Sequence, residues 1–141
     1  LAPNDAGGVT MVMRALRNRE VIGILPDQDP GRGSGVFAPW FGVPANTTTL
    51  VAKLAAKSGA PVLLVWCERL PQARGFRVHV RAPERTIGLE DPVAGTLALN
   101  LELEALIRSA PTQYLWSYKR FRNRPEGLGN PYREGVNAQT V

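Results

Sequence analysis

The sequence has few of the residues that build metal sites and covalent cross-links. Among its 141 residues there is one cysteine, Cys67, and one histidine, His79. A single cysteine excludes a disulfide within the chain, and this usage fits a reducing compartment. One cysteine and one histidine also fall short of the four ligands of a structural zinc site. The sequence therefore predicts no metal centre, and no cofactor is expected.

Long apolar runs are also missing. No stretch approaches the roughly 18–20 consecutive apolar residues of a membrane-spanning helix, and no signal peptide is visible. With 44% hydrophobic and 21% charged residues, the composition is that of one globular domain. The sequence opens at Leu1 rather than at a methionine, and we expect it to be a fragment of a longer protein.

Acidic residues are outnumbered by basic ones. The chain has 12 Asp and Glu against 17 Lys and Arg, a net charge of +5. Such an excess is compatible with nucleic acid, a phosphorylated lipid or substrate, or an anionic membrane face. Residues 113–141 contain 5 basic and 2 acidic residues, so this fifth of the chain carries +3 of the +5. We therefore expect an anionic ligand near the C-terminal part.

Two short, continuously apolar runs predict strands covered on both faces. They lie at 21–25 and 62–67, each after a predicted helix. Such strands alternating with helices are typical of an α/β fold with a mostly parallel sheet flanked by helices. The segment 76–82 instead alternates apolar with charged and polar residues, which predicts a half-exposed strand antiparallel to the second run.

Three helices are predicted from apolar residues at spacings of three and four. Capping residues, glycine and proline mark their ends. The predicted boundary residues, in chain order, are Asn4 or Asp5, Asn46 or Thr47, Gly59, Asp91 and Pro111.

The loop after the first predicted strand, LPDQDPGRGSGVFAPWFG at 25–42, combines acids, glycines and aromatic residues, and we call its first part, 25–35, the DQ loop. Ligands of open α/β sheets bind beyond the carboxyl ends of the strands, where this interpretation places Asp27 and Gln28. The alternative is that both residues only close a turn. The glycines do not form a nucleotide-binding fingerprint, because no Gly-Lys-Ser/Thr follows them.

Basic and aromatic residues are interleaved near the C-terminal end. They are Lys119, Arg120, Arg122 and Arg124 among Tyr114, Trp116, Tyr118 and Phe121. The mixture suits a phosphate or nucleic-acid surface, or a membrane interface, or a solvated basic face whose aromatic rings pack inward. The pattern leaves all three open.

The single histidine and the single cysteine both have ordinary structural interpretations. No Ser, Cys or Asp close to His79 in sequence suggests a nucleophile or an orienting group. We therefore interpret His79 as a surface residue on a strand and Cys67 as a core residue.

Four segments carry a resemblance to a known family. In chain order they are GILPDQDPG, GVFAPWFGVPANTT, LAAKSGAPVLLV and LELEALIRSAPTQYLWSYKRFRNRPEG. The chain resembles the C-terminal portion of the lauroyl and myristoyl acyltransferases of lipid A biosynthesis, within the lysophospholipid acyltransferase-like group. The resemblance implies a domain at 1–133 with part of a glycerolipid-acyltransferase-like fold, truncated at its N-terminus, and an irregular tail at 134–141.

The resemblance also implies an activity. Members transfer a fatty acyl chain from an acyl carrier protein thioester to a hydroxyl of a phosphorylated glucosamine lipid, at the cytoplasmic face of the cell inner membrane. Asp27 and Gln28 look like the counterpart of the loop that contacts the acceptor phosphate in glycerolipid relatives. Lys119, Arg120 and Arg122 match the terminal basic motif. These five residues are the predicted substrate-binding residues.

The family's catalytic dyad is a histidine with an acid five residues later, in which the histidine is the general base and the acid orients it. Only His79 and Glu84 have this spacing. We reject the pair because the family motif precedes the DQ loop, whereas this one follows it on an alternating strand. We expect the dyad, and the family's membrane anchor, upstream of Leu1, and we expect this piece alone to be inactive. The alternative function is a basic module that binds nucleic acid or an anionic membrane without catalysis.

Overall fold

The computed structural model describes residues 6–132, which form three helices and four strands with two short 3-10 turns. The predicted cap at Asn4 or Asp5 and the predicted tail at 134–141 lie outside the described residues. In chain order the elements are α1 (Ala6–Arg17), β1 (Val36–Trp40), β2 (Val43–Thr47), α2 (Leu50–Ser58), β3 (Leu64–Arg69), a turn at Pro71–Ala73, β4 (Phe76–Arg81), α3 (Pro92–Ser109) and a turn at Pro111–Gln113.

The sheets differ from the predicted parallel sheet. β1 pairs with β2, and β3 pairs with β4, and both pairs are antiparallel. The prediction of an α/β protein is confirmed, but a mostly parallel sheet is wrong for residues 6–132. The apolar segment 21–25 forms no strand, and Val21 and Leu25 are 97% and 71% exposed. An apolar run favours burial but supplies no strand partner, and none of the described strands pairs with this segment.

The hairpin of β1 and β2 replaces what the sequence predicted as a loop followed by a helix start. Phe41 and Gly42 form its two-residue turn, with φ of 49° and 81°, as a type I′ turn requires. Asn46 and Thr47, predicted to begin a helix, are buried in β2. Helix α2 instead begins at Leu50, because β2 continues to Thr47 and Thr49 is the N-cap.

The remaining helix boundaries follow the predicted signals. α2 ends at Gly59, which has the left-handed φ of 66° that favours glycine. The carboxylate of Asp91 accepts a hydrogen bond from the backbone N–H of Val93 at 2.8 Å, which caps α3. α3 ends at Ser109, just before the proline at 111. The predicted antiparallel strand is also confirmed, since β4 covers 76–81 and pairs with β3.

Helix α3 joins the two halves of the fold. On one face it contributes to the core, whose buried members are Ala52, Leu64, Ile87 and Leu99. On another it holds the β1–β2 hairpin by polar contacts. The Asn100 amide donates to the carbonyl of Pro39 at 2.8 Å, and a Glu104 carboxylate oxygen accepts from the N–H of Phe41 at 2.8 Å. Both polar side chains are buried, and these two hydrogen bonds fix the position of the hairpin on the helix, although Oδ1 of Asn100 has no partner.

The described helices do not meet the requirements of a membrane span. Within residues 6–132, none is both long enough and apolar enough to cross a membrane.

Candidate functional site

The interleaved basic and aromatic residues at 114–124, which we call the C-terminal basic segment, pack onto β2 through Arg120. This side chain is only 3% exposed. Its Nη1 donates to the carbonyl of Asn46 at 2.5 Å, and its Nη2 donates to Oγ1 of Thr47 at 2.6 Å. The guanidinium also lies 5.1 Å from the ring centroid of Trp40. Burial lowers the pKa of Arg120, although an arginine remains charged at neutral pH.

The DQ loop is tied to the same region by Asp29, which the sequence reasoning missed. Its carboxylate accepts hydrogen bonds from the side-chain amide of Asn123 at 3.0 Å, the N–H of Gly31 at 2.9 Å and the amide of Asn46 at 2.9 Å. Its own N–H donates to the hydroxyl of Tyr118 at 2.8 Å. Burial alone would raise the pKa of Asp29, but these hydrogen bonds outweigh it and hold the pKa below its ordinary 3.8.

Asp27 lies beside an aromatic cluster. The hydroxyl of Tyr114 donates to a carboxylate oxygen of Asp27 at 3.3 Å. Burial, followed by the negative charge of Asp27, raises the pKa of Tyr114, so the tyrosine keeps its proton as a donor. The Tyr114 ring contacts Trp40 and Trp116, with centroids 6.4 and 4.9 Å away. Asp27 therefore has a fixed hydrogen-bond donor on one side.

The other predicted site residues lie at the surface. Gln28, Lys119 and Arg122 are all exposed. Lys119 Nζ lies 5.9 Å from the ring centroid of Tyr132. The structure thus brings Asp27 to Tyr114 and Arg120 to β2, and it leaves the other three predicted residues available to a ligand.

A cavity of about 430 Å³ is lined by residues of both the DQ loop and the C-terminal part of the chain, and we call it the Arg32 pocket. Its lining combines charged and polar side chains with two apolar ones, Phe37 and Leu128. Its lining residues are Arg32, Gly33, Gly35, Phe37, Asn46, Arg122, Asn123, Arg124, Leu128 and Asn130. Only Arg122 was among the predicted site residues. The interleaved bases of the C-terminal segment pointed to this region, but nothing in the sequence pattern joined them to Arg32.

The single histidine is engaged on the β3–β4 hairpin. His79 Nε2 lies 2.8 Å from a carboxylate oxygen of Glu68, and its ring stacks on Trp66 with centroids 4.5 Å apart. Its partner is therefore Glu68 rather than Glu84. The side chain of His79 is 38% exposed, which confirms the surface interpretation.

The interpretation of Cys67 as a core residue is wrong. Cys67 is exposed; it lies opposite Val78 in the register of β3 and β4, and it lines an open cavity together with Leu103 of α3. Within residues 6–132, no group of three or more metal-ligating side chains comes together.

A comparison with protein families identifies the chain. The profile of the family described as "Bacterial lipid A biosynthesis acyltransferase" matches residues 1–123. The chain belongs to this family.

Curated relatives agree with this assignment. The lipid A biosynthesis lauroyltransferase of Escherichia coli (strain K12) is 37% identical over 122 residues, which is 86% of this chain and 40% of the relative. The lipid A biosynthesis palmitoleoyltransferase of the same organism is 35% identical over the same shares. A lipid A biosynthesis acyltransferase of Haemophilus influenzae (strain ATCC 51907 / DSM 11121 / KW20 / Rd) is 33% identical over 82% of this chain and 38% of its own length. The chain thus spans about two fifths of these relatives.

In this member of the lipid A acyltransferase family, separate motif segments meet around one carboxylate. The DQ loop contributes Asp29, the β1–β2 hairpin contributes Asn46, and the C-terminal basic segment contributes Tyr118 and Asn123. Tyr114 and Tyr118 of that segment pack inward, against Trp40 and the DQ loop, whereas Trp116 is 57% exposed. The arrangement presents arginines and amides to the surface on a rigid base.

Proposed function

We propose that this chain is the acceptor-binding part of a late acyltransferase of lipid A biosynthesis. The complete enzyme would transfer a fatty acyl chain from an acyl carrier protein thioester to a hydroxyl of a phosphorylated glucosamine lipid precursor. The observation that carries the proposal is the convergence of the DQ loop and the C-terminal basic segment on Asp29, in a chain that belongs to the lipid A acyltransferase family.

In the proposed reaction, a general base removes the proton of the acceptor hydroxyl. The hydroxyl oxygen attacks the thioester carbonyl carbon, the carbon–sulfur bond breaks, and the carrier's thiolate takes up a proton. We assign the base to a part of the longer protein outside the described residues. Supporting this, His79 is engaged by Glu68 and Trp66 and takes no part in the contacts around Asp29.

The predicted site residues have distinct proposed roles. Asp27, held by Tyr114, would orient the acceptor through a hydrogen bond, and the exposed Gln28 would contact its sugar. Lys119 and Arg122 would bind phosphate, since ammonium and guanidinium groups are its usual partners. Arg120 would act by positioning, because both of its Nη atoms already donate to β2.

We also propose that the chain works at the cytoplasmic face of the inner membrane. Leu115 and Trp116 are 66% and 57% exposed, and the exposed Lys119 follows them closely. Apolar and aromatic side chains beside a base suit the interface of an anionic bilayer.

The test is an acyl-transfer assay on the longer protein that contains this chain, with acyl carrier protein thioester and a lipid A precursor. Asp27→Asn should lower kcat/KM at least tenfold and leave the melting temperature unchanged. His79→Gln and the exposed Arg17→Gln are controls and should retain transfer. The 141-residue chain alone should transfer nothing. Full activity of Asp27→Asn, or loss of activity in His79→Gln with its fold intact, would contradict these assignments.

A further inference from the structure

The Arg32 pocket concentrates positive charge that has no partner. Within residues 6–132, three of the residues that line it are arginines and none is acidic. Among the residues that the structure describes, the guanidinium groups of Arg32, Arg122 and Arg124 make neither an ion pair nor a hydrogen bond. The Nε of Arg124 is buried without a partner. Buried donors are rarely left unpaired, so this one points to a missing acceptor.

The carboxylate of Asp29, which accepts hydrogen bonds from two amides of the pocket lining, does not fill that role. Asp29 has its oxygens engaged by Asn123, Asn46 and the N–H of Gly31. These same bonds orient Asn46 and Asn123, two amides in the pocket lining. The carboxylate of Asp29 is therefore engaged by the lining of the pocket and does not neutralise its arginines. Three like charges in one cavity repel one another, and a bound anion would offset this repulsion.

The pocket is also preformed. Gly35 has a φ of 125°, and a Cβ at this position would lie 2.5 Å from the carbonyl oxygen of Thr47 and 2.9 Å from Oδ1 of Asn46. The DQ loop can pack this closely on β2 only with glycine there. A wall fixed in this way reduces the ordering cost of binding a ligand.

Two apolar side chains in the pocket lining indicate a second property of the ligand. Phe37 and Leu128 line the pocket and are 46% and 48% exposed. Planar guanidinium groups match the oxygens of phosphate, and exposed apolar side chains in the lining suit an attached acyl chain. A phosphate on a lipid satisfies both requirements.

We propose that the Arg32 pocket binds the phosphate group of a phosphorylated lipid, through Arg32, Arg122 and Arg124. Two sources carry this group: the phosphomonoester of a glucosamine lipid and the headgroup of a glycerophospholipid. The choice of the glucosamine lipid rests on the proposed acyltransferase function. The phosphate chemistry itself rests on the pocket.

The experiment measures binding to the full chain by titration calorimetry, with two probes. The first is glucosamine 1-phosphate, with glucosamine as its blank. The second is phosphatidylcholine vesicles with and without one quarter phosphatidic acid. The variants are Arg32→Gln and Arg122→Gln, on the surface, and Arg124→Gln, which has a buried atom. The matched control is Arg17→Gln, which removes the same charge from an exposed position of α1.

We expect the pocket variants to weaken the affinity for glucosamine 1-phosphate at least fivefold and Arg17→Gln to change it less than twofold. The same pattern with phosphatidic acid vesicles alone would support the phosphate site and assign it to a glycerophospholipid. Equal losses in Arg17→Gln and the pocket variants, or no phosphate-dependent binding in either arm, would overturn the proposal. If Arg124→Gln does not fold, the affinities of Arg32→Gln and Arg122→Gln test the proposal without it.

No acyl donor is present in this experiment, so its outcome is independent of catalysis. Phosphate binding at the pocket, together with no acyl transfer by the longer protein that contains this chain, would remove the proposed function and leave the pocket. Acyl transfer that survives Arg32→Gln and Arg122→Gln unchanged, with no loss of binding, would remove the pocket and leave the function.

Discussion

The side-chain amide of Asn123 donates hydrogen bonds to both carboxylate oxygens of Asp29, each at 3.0 Å, across 94 positions of sequence. The backbone N–H of Asn123 adds a third contact at 3.3 Å. Through this pair the DQ loop and the C-terminal basic segment become one surface. A ligand that touches both segments therefore meets a preassembled site, which reduces the ordering cost of binding.

Removing the charge of Asp29 should loosen this surface. In Asp29→Asn, one carboxylate oxygen is replaced by a donor that faces the donors of Asn123, Gly31 and Asn46. We expect the free energy of unfolding to fall by about 1–3 kcal/mol in urea denaturation, since partly buried donors lose their acceptor. Glu126→Gln, at an exposed position, is the control and should change it by less than about 0.5 kcal/mol. Equal stability of the two variants would show that Asp29 is not a structural joint.

The contribution of Asp29 should also depend on pH. Its pKa in the folded chain lies below the ordinary 3.8, so the folded state binds its proton less readily than the unfolded state. The stabilisation is therefore full above about pH 4 and is lost as the pH falls through the lower folded pKa. The difference in unfolding free energy between the native chain and Asp29→Asn should be constant from pH 5 to 7 and shrink below about pH 4. A difference that grows on acidification would contradict the assignment.

Gly95 should resist the substitution that usually stabilises a helix. In an exposed helix, Gly→Ala gains up to about 1 kcal/mol. Here a Cβ at Gly95 would lie 2.8 Å from Cβ of Ala52 and would also press on the carbonyl of Ile87, because α3 packs closely on α2. We expect Gly95→Ala to lower the free energy of unfolding by about 1–3 kcal/mol, as overpacked core sites do.

The control for Gly95 is Gly23→Ala. A Cβ at Gly23 would meet nothing within 4 Å, and its φ is not in the left-handed region. It should therefore stay within about 0.5 kcal/mol of the native chain. Thermal unfolding of both variants gives the comparison, and a stabilised Gly95→Ala would mean that α2 and α3 can separate at no cost.

The elements that the sequence predicted well have local causes. Asp91 caps α3, and Gly59 ends α2, through contacts and dihedral angles within a few residues of the boundary. The alternation at 76–81 also predicted its pairing with β3. The β1–β2 hairpin was missed because Pro39 and Pro44, which face each other in its register, disfavour a central strand. Both are tolerated because, within residues 6–132, each of these two strands pairs on one side alone.

The site was predicted in part for the same reason. The resemblance drew attention to Asp27, and the structure gives it a hydrogen bond from Tyr114. Asp29, two positions later, forms more hydrogen bonds than Asp27, and its partners come from β2 and from the C-terminal basic segment. A local pattern cannot show a contact across 94 positions. It also cannot show that Arg32 faces the same pocket as Arg122.

Two neighbouring arginines should separate positioning from binding. Arg120 is buried and donates to Asn46 and Thr47, whereas Arg122 is exposed in the lining of the Arg32 pocket. Lysine keeps the charge but lacks the planar fork, so Arg120→Lys cannot reproduce both bonds. We expect it to lower the free energy of unfolding by about 1–3 kcal/mol. Arg122→Lys should leave stability within about 0.5 kcal/mol.

Ligand affinity should divide the same pair in the opposite way. Near neutral pH and well below its melting temperature, Arg120→Lys should bind glucosamine 1-phosphate with an affinity within about threefold of the native chain. The reason is that the guanidinium of the native Arg120 donates to β2 and does not line the pocket. Arg122→Gln should lose affinity for this ligand at least fivefold, and its midpoint of urea unfolding should equal that of the native chain. Calorimetric titration and urea denaturation on the same samples test both halves. If Arg120→Lys lost affinity while keeping native stability, its guanidinium would have to contact the ligand directly, and Arg120 would move from a positioning residue to a binding one.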